Sequence, residues 1–196
     1  MIKVNVMMPT NLKDYVRIYD DFLDKDFCKE VVEELQSNNW QKHAFYRAAT
    51  QDSISYDDDL SVSYSNSVNG ELINKKIWSA IEQYVIKDFS FIHKWNNGWN
   101  GYSQVRFNKY ETGTKMALHC DHIHSMFDGN RKGIPILSVL GALNDDYEGG
   151  ELWMWESEKI DLKAGSIMIF PSNFMYPHRV DTVTKGTRYS YVSWTW

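Results

Sequence analysis

Cysteine is nearly absent from this chain. Cys28 and Cys120 are the only two among 196 residues, too few and too far apart for a disulfide framework. That excludes the small stapled scaffolds of secreted proteins and fits a reducing compartment, so a cytoplasmic location is expected. Basic runs are missing as well. The formal net charge is -5, and without a Lys/Arg-rich stretch the chain lacks the electrostatic footprint of general nucleic-acid binding. No apolar run approaches the roughly 18 residues of a membrane span. The opening residues MIKVNVMMPTNLKDY have neither a long apolar core nor a small-residue cleavage site, so no signal peptide is expected. Repeats, low-complexity tracts and linkers are also missing. Residues 1–196 are therefore expected to fold as one domain, with 1–100 as a mixed helical and β support and 101–196 as its β core.

What is present is the composition of an ordinary globular chain. Hydrophobic residues make up 43% and charged residues 24%, enough for a sizeable core. Aromatics reach 15%, with eight Trp, which favours strands and a lined pocket. Alternation over Tyr15-Val16-Arg17-Ile18-Tyr19 predicts a short strand. Phe22, Cys28, Val31, Val32 and Leu35 predict a helix over 24–36, with Asp24 as N-cap and Asn38-Asn39 as the stop. Leu72, Ile73, Ile77, Ala80, Ile81 and Val85 recur at three- and four-residue steps and predict a second helix over 71–86. Between the helices, 53–68 is polar and reads as a surface loop or a pair of edge strands. The stretch 46–67 is a candidate closing loop. From Gly101 onward, short apolar segments at 104–110, 115–123, 134–144, 151–156, 166–170, 177–184 and 187–196 alternate with turn signals. That spacing predicts a β-sandwich or jelly roll. Two helices ahead of it make the fold class α+β, with the helices packed on one sheet.

The chemistry concentrates in Leu118-His119-Cys120-Asp121-His122-Ile123-His124. Alternate residues of a strand share a face, so His119 and Asp121 project together, while Cys120, His122 and His124 share the other side. Two ligands do not fill a metal's coordination sphere. His178, in Tyr176-Pro177-His178-Arg179, is the best third candidate. Two histidines and one carboxylate with positions left open are the ligand set of non-haem Fe(II) oxygenases. A cysteine and two histidines could instead bind zinc, although a consecutive strand triple makes a poor tetrahedral cage. That alternative stays open.

Arg188 is the candidate anchor for a substrate carboxylate, because its planar fork binds one bidentately. Which way it faces depends on the turn before it. A two-residue loop, Lys185-Gly186, would point His178 and Arg188 to opposite faces. A three-residue loop, Thr184-Lys185-Gly186, pairs Val183 with Thr187, and Gly186 suits its final left-handed position. His178 and Arg188 then face the same way. Arg188 would lie about 13 Å along the sheet from the level of His178, at roughly 3.3 Å per residue. A five-carbon dicarboxylate and an arginine side chain can bridge a gap of that order.

Together these motifs resemble the Fe(II)/2-oxoglutarate-dependent oxygenase superfamily, in its prolyl 4-hydroxylase-like branch. The resemblance runs through Tyr110-Glu111-Thr112-Gly113-Thr114-Lys115, His119-Cys120-Asp121, Leu143-Asn144-Asp145-Asp146 and Glu148-Gly149-Gly150-Glu151-Leu152. It continues through Ala164-Gly165-Ser166, Phe170-Pro171-Ser172, His178-Arg179-Val180 and Gly186-Thr187-Arg188, with a final Trp194. It covers residues 100–196; Asp20-Asp21-Phe22-Leu23 and the helix after it resemble the family's opening more weakly. The resemblance implies a double-stranded β-helix, with 101–196 as the catalytic core. It implies Fe(II) bound by His119, Asp121 and His178. It implies 2-oxoglutarate chelating the iron, with its far carboxylate on Arg188. O2 is the other reactant, and ascorbate is a further candidate cofactor. Tyr110 stands where the family often has a tyrosine lining the cosubstrate pocket. The chain departs from the pattern at Ala142, where many relatives have a tyrosine that contacts the far carboxylate. Ser138, on the same strand face as Ala142, is the candidate replacement hydroxyl. Trp153, Trp155 and Trp194 are candidates for the pocket wall.

The implied activity is that of a dioxygenase. It couples decarboxylation of 2-oxoglutarate to succinate and CO2 with hydroxylation of an unactivated C–H bond. The implied substrate is a prolyl residue in a peptide or protein. A free amino acid or another small molecule is the alternative within this class. A non-catalytic jelly-roll binding module is the alternative outside it, and the complete triad with Arg188 argues against that module. Nucleic-acid demethylation fits poorly with the acidic charge balance.

Overall fold

The computed structural model of the protein describes residues 9–47, 49–64, 67–95, 101–121 and 133–196. Its first half contains β1 (Arg17–Tyr19), α1 (Lys25–Leu35), β2 (Gln41–Lys42), β3 (Phe45–Arg47), β4 (Asp52–Ile54), β5 (Ser61–Ser63), α2 (Val68–Glu82) and α3 (Ser90–Trp95). The elements among the described residues of the second half are strands: β6 (Arg106–Glu111), β7 (Met116–His119), β8 (Leu137–Ala142), β9 (Glu148–Gly149), β10 (Leu152–Met154), β11 (Glu158–Ile160), β12 (Ile167–Pro171), β13 (His178–Val180), β14 (Val183–Lys185) and β15 (Thr187–Thr195).

Local signals explain the helices. Asp24 caps α1, its carboxylate accepting from the backbone of Asp26 and Phe27. Cys28, Val31 and Leu35 then form one buried stripe. The second helix starts earlier than its apolar pattern predicts, at Val68, because the Ser67 hydroxyl accepts from the backbone of Gly70 and caps it there. Past Glu82 it widens into a π-helical segment, Gln83–Asp88. The polar stretch 53–68 carries the end of one short strand and the whole of another, joined by a turn. β4 closes a hairpin with β3, and β5 adds to β6 through Ser61↔Lys109 and Ser63↔Phe107.

Seven strands form the larger sheet, in the order β1-β12-β8-β15-β6-β5-β2, and four form a smaller one, β11-β10-β13-β7. Neighbouring strands in both are antiparallel. Alternation gives the larger sheet two faces with different partners. One face supplies Phe107, Leu137, Val139, Ile167, Ile169, Tyr189 and Tyr191 to a core shared with α1 and α2. The other supplies Tyr110, Leu140, Met168, Phe170 and Val192 to a core shared with Met116, Leu152, Met154 and Val180 of the smaller sheet. Two antiparallel sheets closing on a common core are the jelly-roll-type architecture expected from the strand spacing.

The expected hairpin between the strand of His178 and the strand of Arg188 does not form. Val183 pairs with Gly149, and Lys185 with Glu148. Arg188 pairs with Tyr110 of β6. The chain therefore leaves the smaller sheet after β13 and enters the larger one at β15. Gly186 makes the crossing in the left-handed region expected of it, at φ 80°. His178 and Arg188 face the same interior because each strand turns its inner side to the shared core, from opposite sheets.

Candidate active site

Strands β7 and β13 lie side by side, with His119 directly opposite His178. Asp121 follows just past the end of β7. Their ligating atoms lie within 4.8 Å of one another, and they form the one such cluster among the described residues. His119 Nε2 is 3.5 Å and His178 Nε2 3.8 Å from Asp121 Oδ1. Both rings are tied back by their other nitrogen. His119 Nδ1 is 2.8 Å from the carbonyl of Ala117, and His178 Nδ1 is 3.1 Å from that of Tyr176. A carbonyl only accepts, so each Nδ1 carries a proton, and each Nε2 is the nitrogen left to ligate. Ser138 donates its hydroxyl to Asp121 Oδ2 and also contacts the hydroxyl of Ser172.

The electrostatics match a cation site. Burial disfavours the charged form of Asp121, but the neighbouring His178 and His119 and the Ser138 hydrogen bond outweigh it and hold the carboxyl well below the usual carboxylate range. Burial, reinforced by His119, pushes the His178 imidazole down, toward its neutral form. A carboxylate oxygen and two imidazole nitrogens converging on one point suit one divalent ion.

Arg188 is sealed in the interior at 2% exposure. Its Cζ lies 4.9 Å from the centroid of the Tyr110 ring. Nε donates to the Tyr147 hydroxyl at 3.2 Å, and Nη1 to the Ser190 hydroxyl at 3.2 Å. Asn144 clamps the backbone on either side of it. Its Oδ1 accepts from the Tyr189 N–H, and its Nδ2 donates to the Thr187 carbonyl, both at 2.7 Å.

The sequence-predicted residues thus fall into two groups. His119, Asp121 and His178 converge, and Tyr110 stands against Arg188. Ser138 does not stand where the sequence reading aimed it. β8 runs antiparallel to β15, with Ala142 opposite Ser190 and Ser138 opposite Trp194, so its hydroxyl reaches Asp121 and not the Arg188 end. Tyr147 and Ser190 supply hydroxyls there instead. Tyr147 sits inside the Asp145-to-Gly150 motif, but nothing local says that its side chain turns inward. Of the three tryptophans, Trp194 lines the interior cavity. Trp153 stacks under Arg179, and Trp155 packs on Tyr176 with its indole N–H on the Met175 carbonyl. The zinc alternative involves His122 and His124, which lie outside the described residues; the Cys120 thiol is 3.6 Å from the Phe174 carbonyl.

A jelly-roll-type core carrying a His-x-Asp…His cluster defines a class of protein, one able to hold a single divalent metal by one face. Comparison with known proteins narrows it. The family model of the 2OG-Fe(II) oxygenase superfamily matches residues 105–196. A PKHD-type hydroxylase of Prochlorococcus marinus is 30% identical over 183 residues, covering 88% of this chain and 74% of the relative. Another, from Rippkaea orientalis, is 39% identical over 94 residues, 45% of this chain and 40% of the relative. Among solved structures, a Trichoplax adhaerens prolyl hydroxylase in complex with a hypoxia inducible factor oxygen degradation domain peptide fragment has the same fold. It superposes with a TM-score of 0.67 at 20% identity, over 93% of this chain and 84% of that one. A Pseudomonas putida prolyl-4-hydroxylase gives 0.62 at 15% identity, over 92% and 91%. The chain belongs to the 2OG-Fe(II) oxygenase superfamily, in its prolyl hydroxylase-like branch. It is accordingly a dioxygenase whose cofactor is Fe(II) and whose cosubstrates are 2-oxoglutarate and O2.

Proposed function

We propose that this dioxygenase hydroxylates prolyl residues in a peptide or protein, with His119, Asp121 and His178 as its iron ligands and Arg188 as the anchor for the far carboxylate of 2-oxoglutarate. The convergence of the three ligands carries this reading. The bound iron, with 2-oxoglutarate and O2, would supply the oxidising power that inserts one oxygen atom into an unactivated C–H bond, the second oxygen leaving in succinate and the cosubstrate's first carbon as CO2.

The chain's own residues do the positioning. Asp121 stays anionic, and the two imidazoles keep their Nδ1 protons on backbone carbonyls, so three lone pairs remain available on one side of the ion. Ser138 orients the carboxylate through Oδ2. Arg188 is buried, where its attraction for a carboxylate is little screened, and Tyr147, Ser190 and the Tyr110 ring hold its guanidinium in place. Prolyl hydroxylases among the structural neighbours support the substrate class. Phe45, Tyr46 and Ser53 of the β3–β4 hairpin border the cavity over the ligands, which suits closure over a bound peptide.

Anaerobic titration of the Fe(II) protein with 2-oxoglutarate tests the site. A weak visible charge-transfer band is expected, followed in air by succinate release and, with a proline-containing peptide, by the gain of one oxygen atom. Absence of both band and succinate would return the chain to the non-catalytic reading.

A further inference from the structure

A second arginine stands on the same inner face as Arg188, and its surroundings differ. Arg106 opens β6, pairs with Val192 of β15, and lines both the interior cavity and the larger open one, about 520 Å³, that borders His119 and Asp121. Its Cζ lies 4.9 Å from the Trp194 ring centroid, and its Nε donates to Asn108 Oδ1 at 3.1 Å. Stacking and this one hydrogen bond fix the plane of the guanidinium. Among the described residues, no hydrogen bond reaches its two terminal nitrogens, and no carboxylate forms an ion pair with it.

His43 lines the same open cavity from the N-terminal half. It is only 8% exposed, yet its Nδ1 has no hydrogen-bond partner among the described residues. Burial, with Arg106 and His119 nearby, pushes the imidazole down to about 4. It is therefore neutral at ordinary pH and able to donate one hydrogen bond. A buried polar atom left unpaired is costly, and a fixed guanidinium fork without an acid is a cation awaiting one. The Arg106 side chain and the His43 ring both line one cavity beside His119 and Asp121.

We infer that Arg106 and His43 form a subsite for a carboxylate of the substrate. This rests on the hydroxylase reading of the neighbouring site. One guanidinium beside one neutral imidazole matches a single negative charge in a plane, which is a carboxylate. The cavity is of the size that takes a small molecule or a short peptide segment. The substrate therefore carries its carboxylate close to the carbon that is hydroxylated. That carboxylate belongs either to a free amino acid or to an acidic residue next to the target proline in a peptide. Arg188 is already sealed by Tyr147 and Ser190 and serves the cosubstrate, which leaves Arg106 to the substrate.

Two acid–amide pairs distinguish the sources: L-proline against L-prolinamide, and acetyl-Pro-Asp-amide against acetyl-Pro-Asn-amide. Each is titrated calorimetrically into the anaerobic Fe(II)/2-oxoglutarate protein and into the metal-free protein. The acid of at least one pair is expected to bind about tenfold or more tighter than its amide, a difference of about 1.4 kcal/mol. The pair that responds names the source. Arg106→Gln is expected to abolish the preference and Arg106→Lys to restore it in part, with the 2-oxoglutarate charge-transfer band retained in both. The subsite is overturned by amides that bind as well as acids, by acids that do not bind, or by a preference that survives Arg106→Gln. A missing band in the unsubstituted protein would instead count against the hydroxylase reading, and the metal-free titrations would still decide the subsite.

Discussion

The two faces of the larger sheet are built from the same strands and do different work. In β15, Tyr189 and Tyr191 turn to the helices, while Arg188, Ser190, Val192 and Trp194 turn to the smaller sheet. In β8, Leu137 and Val139 face the helices and Ser138 faces Asp121. The helix side is apolar and closely filled: a Cβ added at Gly141 would meet the Tyr191 ring at 2.0 Å. The inner side keeps arginines, serines and an asparagine among its apolar residues, and two cavities open there. A period of two lets one strand contribute to stability with one set of residues and to chemistry with the other. Substitutions on the two faces should therefore separate stability from ligand binding.

The largest expected effect is on the inner side. Asp121→Ala and His178→Ala should each reduce succinate formation to background while leaving the melting temperature of the metal-free protein unchanged or raised, since each relieves a crowded set of buried polar groups. Retained turnover in both would break the assignment. On the helix side, Tyr191→Ala should cost about 3–5 kcal/mol of stability in denaturant titrations. The surviving folded protein should bind 2-oxoglutarate with undiminished affinity, and a weakened affinity would mean that the faces are not independent.

Acid sensitivity should also belong to the inner side. The buried groups of the helix side that shift, Tyr84, Tyr191 and Cys28 among them, move upward and are silent in acid. His43 moves down to about 4, so below pH 6.5 the unfolded chain takes up a proton that the folded imidazole refuses. Stability present above pH 6.5 is then lost as the pH falls toward 4, by roughly 2–3 kcal/mol. Unfolding titrations at pH 7.5 and 4.5 should show that loss, and His43→Gln should reduce it, leaving the share that the depressed His178 contributes. Arg188→Ala should weaken 2-oxoglutarate binding by about 1.5–3 kcal/mol, or some 10- to 100-fold, read from the charge-transfer titration. The smallest effect has the opposite sign. The Tyr191 hydroxyl is buried without a partner among the described residues, so Tyr191→Phe should be neutral or stabilising by up to about 1 kcal/mol. A clear loss would show that the hydroxyl has a hidden acceptor.

Much of the site was legible in the sequence because the signals are local. Alternation put His119 and Asp121 on one side, and the Asp24 cap and the apolar stripe of α1 lay within one or two turns of chain. The Gly186 conformation followed from its lack of a Cβ. The errors came where a side chain's neighbours belong to distant segments. The hairpin that seemed to join His178 to Arg188 is a crossing between sheets, and the shared facing had a different cause. The parity of Ser138 is local while the direction of β8 relative to β15 is not, so its hydroxyl meets Asp121 and not the Arg188 end. Tyr147, Arg106 and His43 gave no local signal at all.

By itself, then, the sequence determined the ligand types, their parity, the strand-rich second half and the family. Those depend on backbone chirality and residue chemistry, which act over a few residues. Only the tertiary structure decided that His178 lies opposite His119, that Tyr147 and Ser190 hold Arg188, and that Arg106 and His43 meet at one cavity. Those depend on which strands pair and which faces pack, and burial of two separate apolar cores sets that across the whole chain.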